Sequence, residues 1–162
     1  MSNAAGEDLS TKLYSQVTFR EPTVGDYPFI FSSWLKSYRF SDLPKSVSKT
    51  IYFKEHHKII EDLLSSSTTI LACDVIDPNN IFGYITVAKI NEIFTVHYIY
   101  VKHTYRRFGL GRLLLNVFEH NTGGKMVYTH ETPIAKKLGV KYNFEYNPYL
   151  MVVNLPKNLK EE

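Results

Sequence analysis

Ile99-Tyr100-Val101-Lys102-His103-Thr104-Tyr105-Arg106-Arg107-Phe108-Gly109-Leu110-Gly111-Arg112 is the stretch on which the fold turns. It joins the end of an apolar strand, a basic loop and the start of a helix. Upstream, Ile93 to Val101 is rich in β-branched and aromatic residues and holds neither Gly nor Pro, which predicts a strand. Downstream, Leu110, Leu113, Leu114, Val117 and Phe118 fall at i, i+3, i+4, i+7 and i+8, one face of an α-helix, and Asn121-Thr122-Gly123-Gly124 is the expected stop. Two glycines at spacing two let the backbone approach a ligand. A helix beginning there points its unpaired N–H groups and positive dipole end at an anion in the loop. Arg106, Arg107 and Arg112 add charge-assisted hydrogen bonds, so the loop reads as a pyrophosphate cradle.

The spacing excludes two other phosphate motifs. A Walker A loop ends in Gly-Lys-Ser/Thr, whereas Gly111 is followed by Arg112, and the Gly124-Lys125 pair by Met126. A dinucleotide fingerprint needs a third glycine where Leu114 stands. The plain alternative is a glycine-containing turn ahead of a helix.

Ile99-Tyr100-Val101, a four-residue spacer and Arg106-x-x-Gly109-x-Gly111 together resemble the acetyl-coenzyme A motif of the GNAT superfamily of N-acetyltransferases. That family has a Leu-Tyr-Val-like strand end followed by Gln/Arg-x-x-Gly-x-Gly/Ala. The resemblance implies that Ile99, Tyr100 and Val101 bind the pantetheine arm. Arg106, Arg107, Phe108, Gly109, Leu110, Gly111 and Arg112 would then hold the diphosphate of acetyl-CoA.

The chain has 162 residues, 44% hydrophobic and 22% charged, enough for one globular domain with a real core. Residues 15–156 are expected to form a single GNAT domain, residues 1–14 a flexible N-terminal segment and residues 157–162 a polar tail. No run approaches the ~18 apolar residues of a membrane span, and no apolar leader stands out, so a soluble, cytoplasmic protein is expected. One cysteine, Cys73, cannot form a disulfide scaffold and reads as a core residue. Six histidines with one cysteine make no His/Cys metal signature, and no metal is expected. The net charge of +3 is mild and spread along the chain, which demands no nucleic acid.

Local patterns predict a strand at Gln16 to Arg20, a turn whose Asp26 caps a helix over Tyr27 to Tyr38, a loop through Phe40 to Pro44, and a helix over Ser48 to Leu64. Strands follow at Thr69 to Asp74, Ile81 to Lys89 and Ile93 to Val101, an antiparallel meander. After the Gly109 helix come a strand near Lys125 to His130, a helix over Pro133 to Leu138 ended by Gly139, and strands near Tyr142 to Tyr146 and Tyr149 to Asn154. This is a mixed α/β class. The order matches the resembled family's fold: a mostly antiparallel sheet of about seven strands, its fourth and fifth strands splayed apart, and about four helices.

For chemistry, the resemblance points to a primary amine attacking the thioester directly in a ternary complex. His97, two residues before Ile99, stands where some relatives carry a histidine that helps remove the amine proton, and its ordinary pKa near ~6.5 suits a base. Strand alternation would place Thr95, His97 and Ile99 on one face, with the Ile99 N–H as donor to the thioester oxygen. The family's tyrosine acid is replaced by Ala135, and its asparagine is missing from Thr129 to Pro133. Tyr128, Tyr142 or His130 are the candidate substitutes. Tyr27, Trp34, Tyr38, Tyr52, His56 and His57 come from helices that supply acceptor contacts in the family, although packing explains most of them, and Glu131 and Glu145 could orient an ammonium. The acceptor is a small-molecule or peptide amine, and a homodimer through the final strands is compatible with the fold. The competing reading is an impaired acyl-CoA-binding module with a sensing role. A nucleic-acid-binding domain is weaker, because no basic cluster extends beyond the loop.

Overall fold

The computed structural model describes residues 15–118 and 125–152. The expected terminal segments, the helix stop at Asn121 to Gly124 and the end of the last expected strand lie outside them.

The elements run β1 (Val17–Arg20), α1 (Tyr27–Tyr38), α2 (Asp42–Lys45), α3 (Lys49–Ser66), β2 (Thr68–Asp74), β3 (Ile81–Ile90), β4 (Ile93–Val101), α4 (Leu110–Asn116), β5 (Met126–Tyr128), α5 (Pro133–Tyr142) and β6 (Glu145–Tyr146). The six strands lie in chain order. β1 to β4 pair antiparallel, whereas β5 pairs parallel to β4 and to β6. The meander is as expected, and its β3–β4 turn is tight because Asn91 and Glu92 both adopt positive φ, 49° and 66°.

Two apolar cores form, one on each face of the sheet. Ile30, Trp34, Leu35 and Tyr38 of α1 and Tyr52, Ile60 and Leu63 of α3 pack over Leu71, Cys73, Tyr84 and Tyr98. Leu110, Leu114, Leu115 and Ala135 of α4 and α5 pack over Ile85, Val87, Val96 and Ile99. Each helix buries the stripe its 3.6-residue period places on one side. Cys73 is fully buried, as a core residue should be, and burial raises its thiol pKa.

Four expectations change. Tyr149 is part of a 3-10 helix over Pro148–Met151, not a strand, so among the described residues the sheet has six strands, not about seven. The Phe40 to Pro44 loop contains α2. Asp26 does not cap α1 with its side chain. Its carboxylate accepts from Arg20 at 2.6 Å and from the Thr23 N–H at 2.7 Å, which holds its pKa down at about 2. α5 runs past Gly139 to Tyr142 and is ended by Asn143 in the left-handed region, φ 59°, with Phe144 N–H bonding the Gly139 carbonyl at 2.8 Å. Gly139 serves packing instead: a Cβ there would lie 2.8 Å from Cε1 of Tyr128.

Candidate active site at the fork between β4 and β5

The parallel ladder between β4 and β5 is three pairs long, Phe94 with Met126, Thr95 with Val127 and Val96 with Tyr128. Thr129 N–H adds a bond to Val96 O at 3.1 Å, and from there β4 continues to Val101 beyond its last pairing with β5. On its other side, β4 stays paired to β3 as far as Gly83–Val101, and Lys102 N–H donates to Phe82 O at 2.9 Å. Because antiparallel ladder bonds alternate, the peptide groups of Ile99 and Val101 turn away from β3 toward the fork. The Val101 carbonyl there accepts from Arg106 Nε at 3.0 Å, which ties the basic loop to the strand end.

A cavity of about 680 Å³ opens below the fork, lined by Val101, His103, Arg106, Arg107, Gly109, Gly111, Arg112, Ile134, Lys137, Leu138 and Lys141, among others. Five of these side chains are formal cations and none is acidic. Gly109 takes φ 78°, a left-handed conformation that favours glycine; Arg107 adopts it as well, at 73°. Gly111 is different. A Cβ there would meet Leu138, Ile99 and Ile134 at 3.5 to 3.9 Å, ordinary contact, so packing against the protein's own side chains does not require glycine. The first intrahelical bond of α4 runs from Leu113 N–H to Gly109 O, which leaves the amides of Leu110 and Gly111 at the open helix end. Lys137 and Lys141 escaped the sequence reading. Ile134, Lys137, Leu138 and Lys141 recur at i, i+3, i+4 and i+7, and that stripe was the available signal.

At the vertex of the fork the register shifts: Val87 pairs with Val96, but Thr86 pairs with Tyr98, so β4 carries an extra residue, His97. Val96 and Ile99 consequently face α4 and α5, while Tyr98 faces α1. Strict alternation cannot give that pattern, and the expected common face of Thr95, His97 and Ile99 is corrected accordingly. The Thr95 hydroxyl is engaged locally, donating to Ile93 O at 3.2 Å.

His97 is fully buried. Its Nδ1 lies 3.1 Å from the Thr129 hydroxyl, which lies 2.8 Å from His130 Nδ1 and 3.3 Å from the His97 carbonyl. His130 Nε2 in turn lies 2.9 Å from His56 Nε2. A threonine hydroxyl donates once; if it donates to the carbonyl, both Nδ1 atoms carry protons and donate to it. His97 Nε2 is then a bare lone pair, and it has no partner among the described residues. Burial pushes His97 and His56 down to about 4 and His130 well below the usual imidazole value, so all three rings are neutral near pH 7.

Tyr128 sits on β5 and its hydroxyl donates to Glu131 Oε2 at 3.2 Å. Burial, with Glu131 next, raises its pKa and keeps it protonated. Tyr142 lies at the end of α5, ring centroid 6.1 Å from Phe144, and is outside the lining of the basic cavity. Ala135 is buried against the sheet and its N–H caps on Thr132 Oγ1 at 3.2 Å. Trp34 stacks on Tyr98 at 4.5 Å and Phe31 on His57 at 4.5 Å, so Trp34 and His57 are engaged in packing. Glu145 is engaged at the surface in an ion pair with Lys125.

A second cavity, about 290 Å³, lies on the α1 side and is lined by Tyr38, Ser41, Asp42, Leu43, Ser46, Glu131 and Tyr146. These residues come from three distant parts of the chain. Asp42 and Tyr146 carry no local signal that would have joined them to Glu131.

A family model described as the Acetyltransferase (GNAT) family matches residues 28–129. Among curated proteins none matches the chain. Solved structures are similar at low identity. A GNAT-family acetyltransferase from Staphylococcus aureus Mu50 is 18% identical with a TM-score of 0.46; the match covers 65% of this chain and spans 64% of that one. A ribosomal-protein-alanine N-acetyltransferase from Brucella melitensis biovar Abortus 2308 is 16% identical with a TM-score of 0.51, over 78% of this chain and 90% of that one. A GNAT family acetyltransferase from Brucella melitensis, solved in complex with acetyl-CoA, is 13% identical with a TM-score of 0.52, over 76% and 81%. The two Brucella matches show a shared fold. No helix among the described residues is long and apolar enough to cross a membrane, and none of their His, Cys, Asp and Glu side chains group as a metal site.

Proposed function

This chain belongs to the Acetyltransferase (GNAT) family, and from that premise we propose that it is an N-acetyltransferase, moving the acetyl group of acetyl-CoA to a primary amine by direct attack in a ternary complex. One observation carries the reading: the basic cavity reaches Val101, at the end of the β4 edge that runs beyond its pairing with β5, so a site for a diphosphate lies at the end of a row of peptide groups. The left-handed Gly109, the amides at the start of α4 and the side chains of Arg106, Arg107, Arg112, Lys137 and Lys141 suit a polyanionic carrier. Ile99 and Val101 present peptide groups to its pantetheine arm, with Tyr100 between them, and Phe108 and Leu110 brace the loop from its apolar side.

Acetyl-CoA supplies the activated acyl group. The Ile99 N–H stands ready to donate to the thioester carbonyl as charge develops on it. His97, neutral at working pH, accepts the proton at Nε2 once bond formation has made the attacking nitrogen acidic. Thr129 fixes its tautomer. Tyr128, held protonated beside Glu131, is the side chain best suited to protonate the leaving thiolate, with Tyr142 the alternative.

The competing reading is a binding module that keeps the cradle and has lost transfer, and the complete burial of His97 together with Ala135 at the usual tyrosine position favours it. Thermal unfolding with and without acetyl-CoA tests the common premise, since ligand at 100 times its Kd should stabilise by ~2.7 kcal/mol. No shift removes both readings. Thiol release with a panel of amines separates them: turnover that falls about a hundredfold in His97→Ala supports general-base transfer, whereas unchanged turnover removes His97 from the reaction. Cofactor binding with no release for any amine points to the module.

A further inference from the structure

The second cavity has a lining unlike that of the basic one. Its charged lining is acidic only, Asp42 and Glu131, and its aromatic lining is Tyr38 and Tyr146. Tyr38 is 1% exposed, and its hydroxyl has no partner among the described residues. Tyr38 lines the cavity together with Tyr146 and Glu131, and burial first, then Tyr146, Tyr98 and Glu131, raises the pKa of that hydroxyl. An unpartnered buried hydroxyl is costly unless a ligand completes it. Asp42 also pairs with Lys45 at 3.1 Å, but both side chains are exposed, and such a pair yields easily to a better-placed cation.

A chain of side-chain contacts links the cavity to the fork. Tyr38 packs on the His130 ring at 4.6 Å, His130 bonds Thr129, and Thr129 holds His97. Glu131 lines this cavity, and Ile134, three residues on, lines the basic one. One layer of side chains, Tyr38, His130, Thr129 and His97, thus lies between the second cavity and the fork.

We propose that this acidic, aromatic cavity is an acceptor subsite for a second positive charge, and that the acceptor is a diamine or polyamine whose distal ammonium sits between Glu131, Asp42, Tyr38 and Tyr146. The inference rests on the transferase reading and adds the substrate class to it. A distal ammonium donates to the two carboxylates and to the Tyr38 oxygen, and meets the tyrosine faces as a cation on π-systems. Its carbon chain then places the other nitrogen at the fork. A monoamine lacks the anchor. A dicarboxylate is repelled.

The test is calorimetric titration of diaminobutane, butylamine and succinate into the full chain at saturating CoA. Diaminobutane should bind about tenfold or more tightly than butylamine, with an affinity that falls as salt rises, and succinate should not bind. Glu131→Gln should remove most of the preference, and Asp42→Asn, at an exposed position, should lower it without disturbing the fold. Tyr38→Phe should weaken the diamine severalfold. Equal binding of diamine and butylamine overturns the inference, as does binding of succinate or an unchanged preference in both acid variants. CoA binding with no diamine preference overturns it while leaving the transferase reading intact. Failure of CoA itself to bind overturns that reading instead, and the diamine preference is then measured on the protein alone.

Discussion

The cavities on either side of the fork are opposites built from one device. Where β4 and β5 part, the side toward α4 and α5 collects five cationic side chains, while the side toward α1 collects two carboxylates and two tyrosines. Between them stands a buried, uncharged layer of His97, Thr129, His130 and His56. A neutral layer keeps the two groups of opposite charge apart, an arrangement that suits an anionic carrier on one side of the strand edge and the proposed cationic acceptor on the other. The contrast is also conformational. The basic side depends on backbone at positive φ, Arg107 and Gly109, and the acidic side on side-chain packing around Tyr38.

The strongest way to break this contrast is to spoil the cradle. Gly109→Val puts a β-branched residue at φ 78°, and the strain plus the added bulk should abolish the acetyl-CoA-dependent rise in Tm while leaving diamine affinity nearly unchanged. A loss of both would mean that the two sides are not separate sites.

Acid should come next, by charging the wall. The folded pKa of His97 and His56 is depressed to about 4 and that of His130 lies well below the ordinary value, so the unfolded chain binds protons first as pH falls from 6.5. Stability is full above pH 6.5 and declines toward pH 4, by up to about 1.4 kcal/mol per pH unit for each ring. Urea midpoints at pH 7.5 and 5.0 measure it, and a flat profile would contradict the neutral wall. Asp26 acts in a separate window. Its pKa is lowered to about 2, so its contribution persists until pH falls below the ordinary carboxylate range.

Smaller effects sharpen the picture. Gly139→Ala crowds the Tyr128 ring and should cost about 1–3 kcal/mol of stability, with the tyrosine environment altered in near-UV circular dichroism. Lys137→Ala and Lys141→Ala should each weaken acetyl-CoA binding only severalfold, about 0.5–1 kcal/mol, and reduce its salt dependence, because each is an exposed charge on the rim of the cavity. Neither should change diamine binding. A large effect on the diamine would merge the two cavities.

Much of the basic side was legible along the chain, since strand, loop and helix are contiguous and each has a local pattern: β-branched residues in Ile93 to Val101, glycine at position 109, an apolar stripe from Leu110. The acidic side was not legible. Glu131 was considered only for its charge and Tyr38 only for its place on a helix, and nothing local links them to Asp42 or Tyr146. The bulge at His97 was also invisible. Period-two reasoning assumes one residue per rung, and an inserted residue reverses the face of everything beyond it.

By itself the sequence determined the order of elements from β1 to α5 apart from α2, the paired strands up to the fork and the glycine-containing loop ahead of α4, because hydrogen-bonding periodicity and glycine's dihedral freedom act over a few neighbouring residues. Tertiary structure alone decided which face His97 and Ile99 take, that three imidazoles share one hydroxyl network, and that Tyr38, Asp42, Glu131 and Tyr146 surround a common space. Those outcomes depend on register between strands and on packing between residues up to about a hundred positions apart. No local pattern carries that information, since it exists only once the sheet has closed around its two cores.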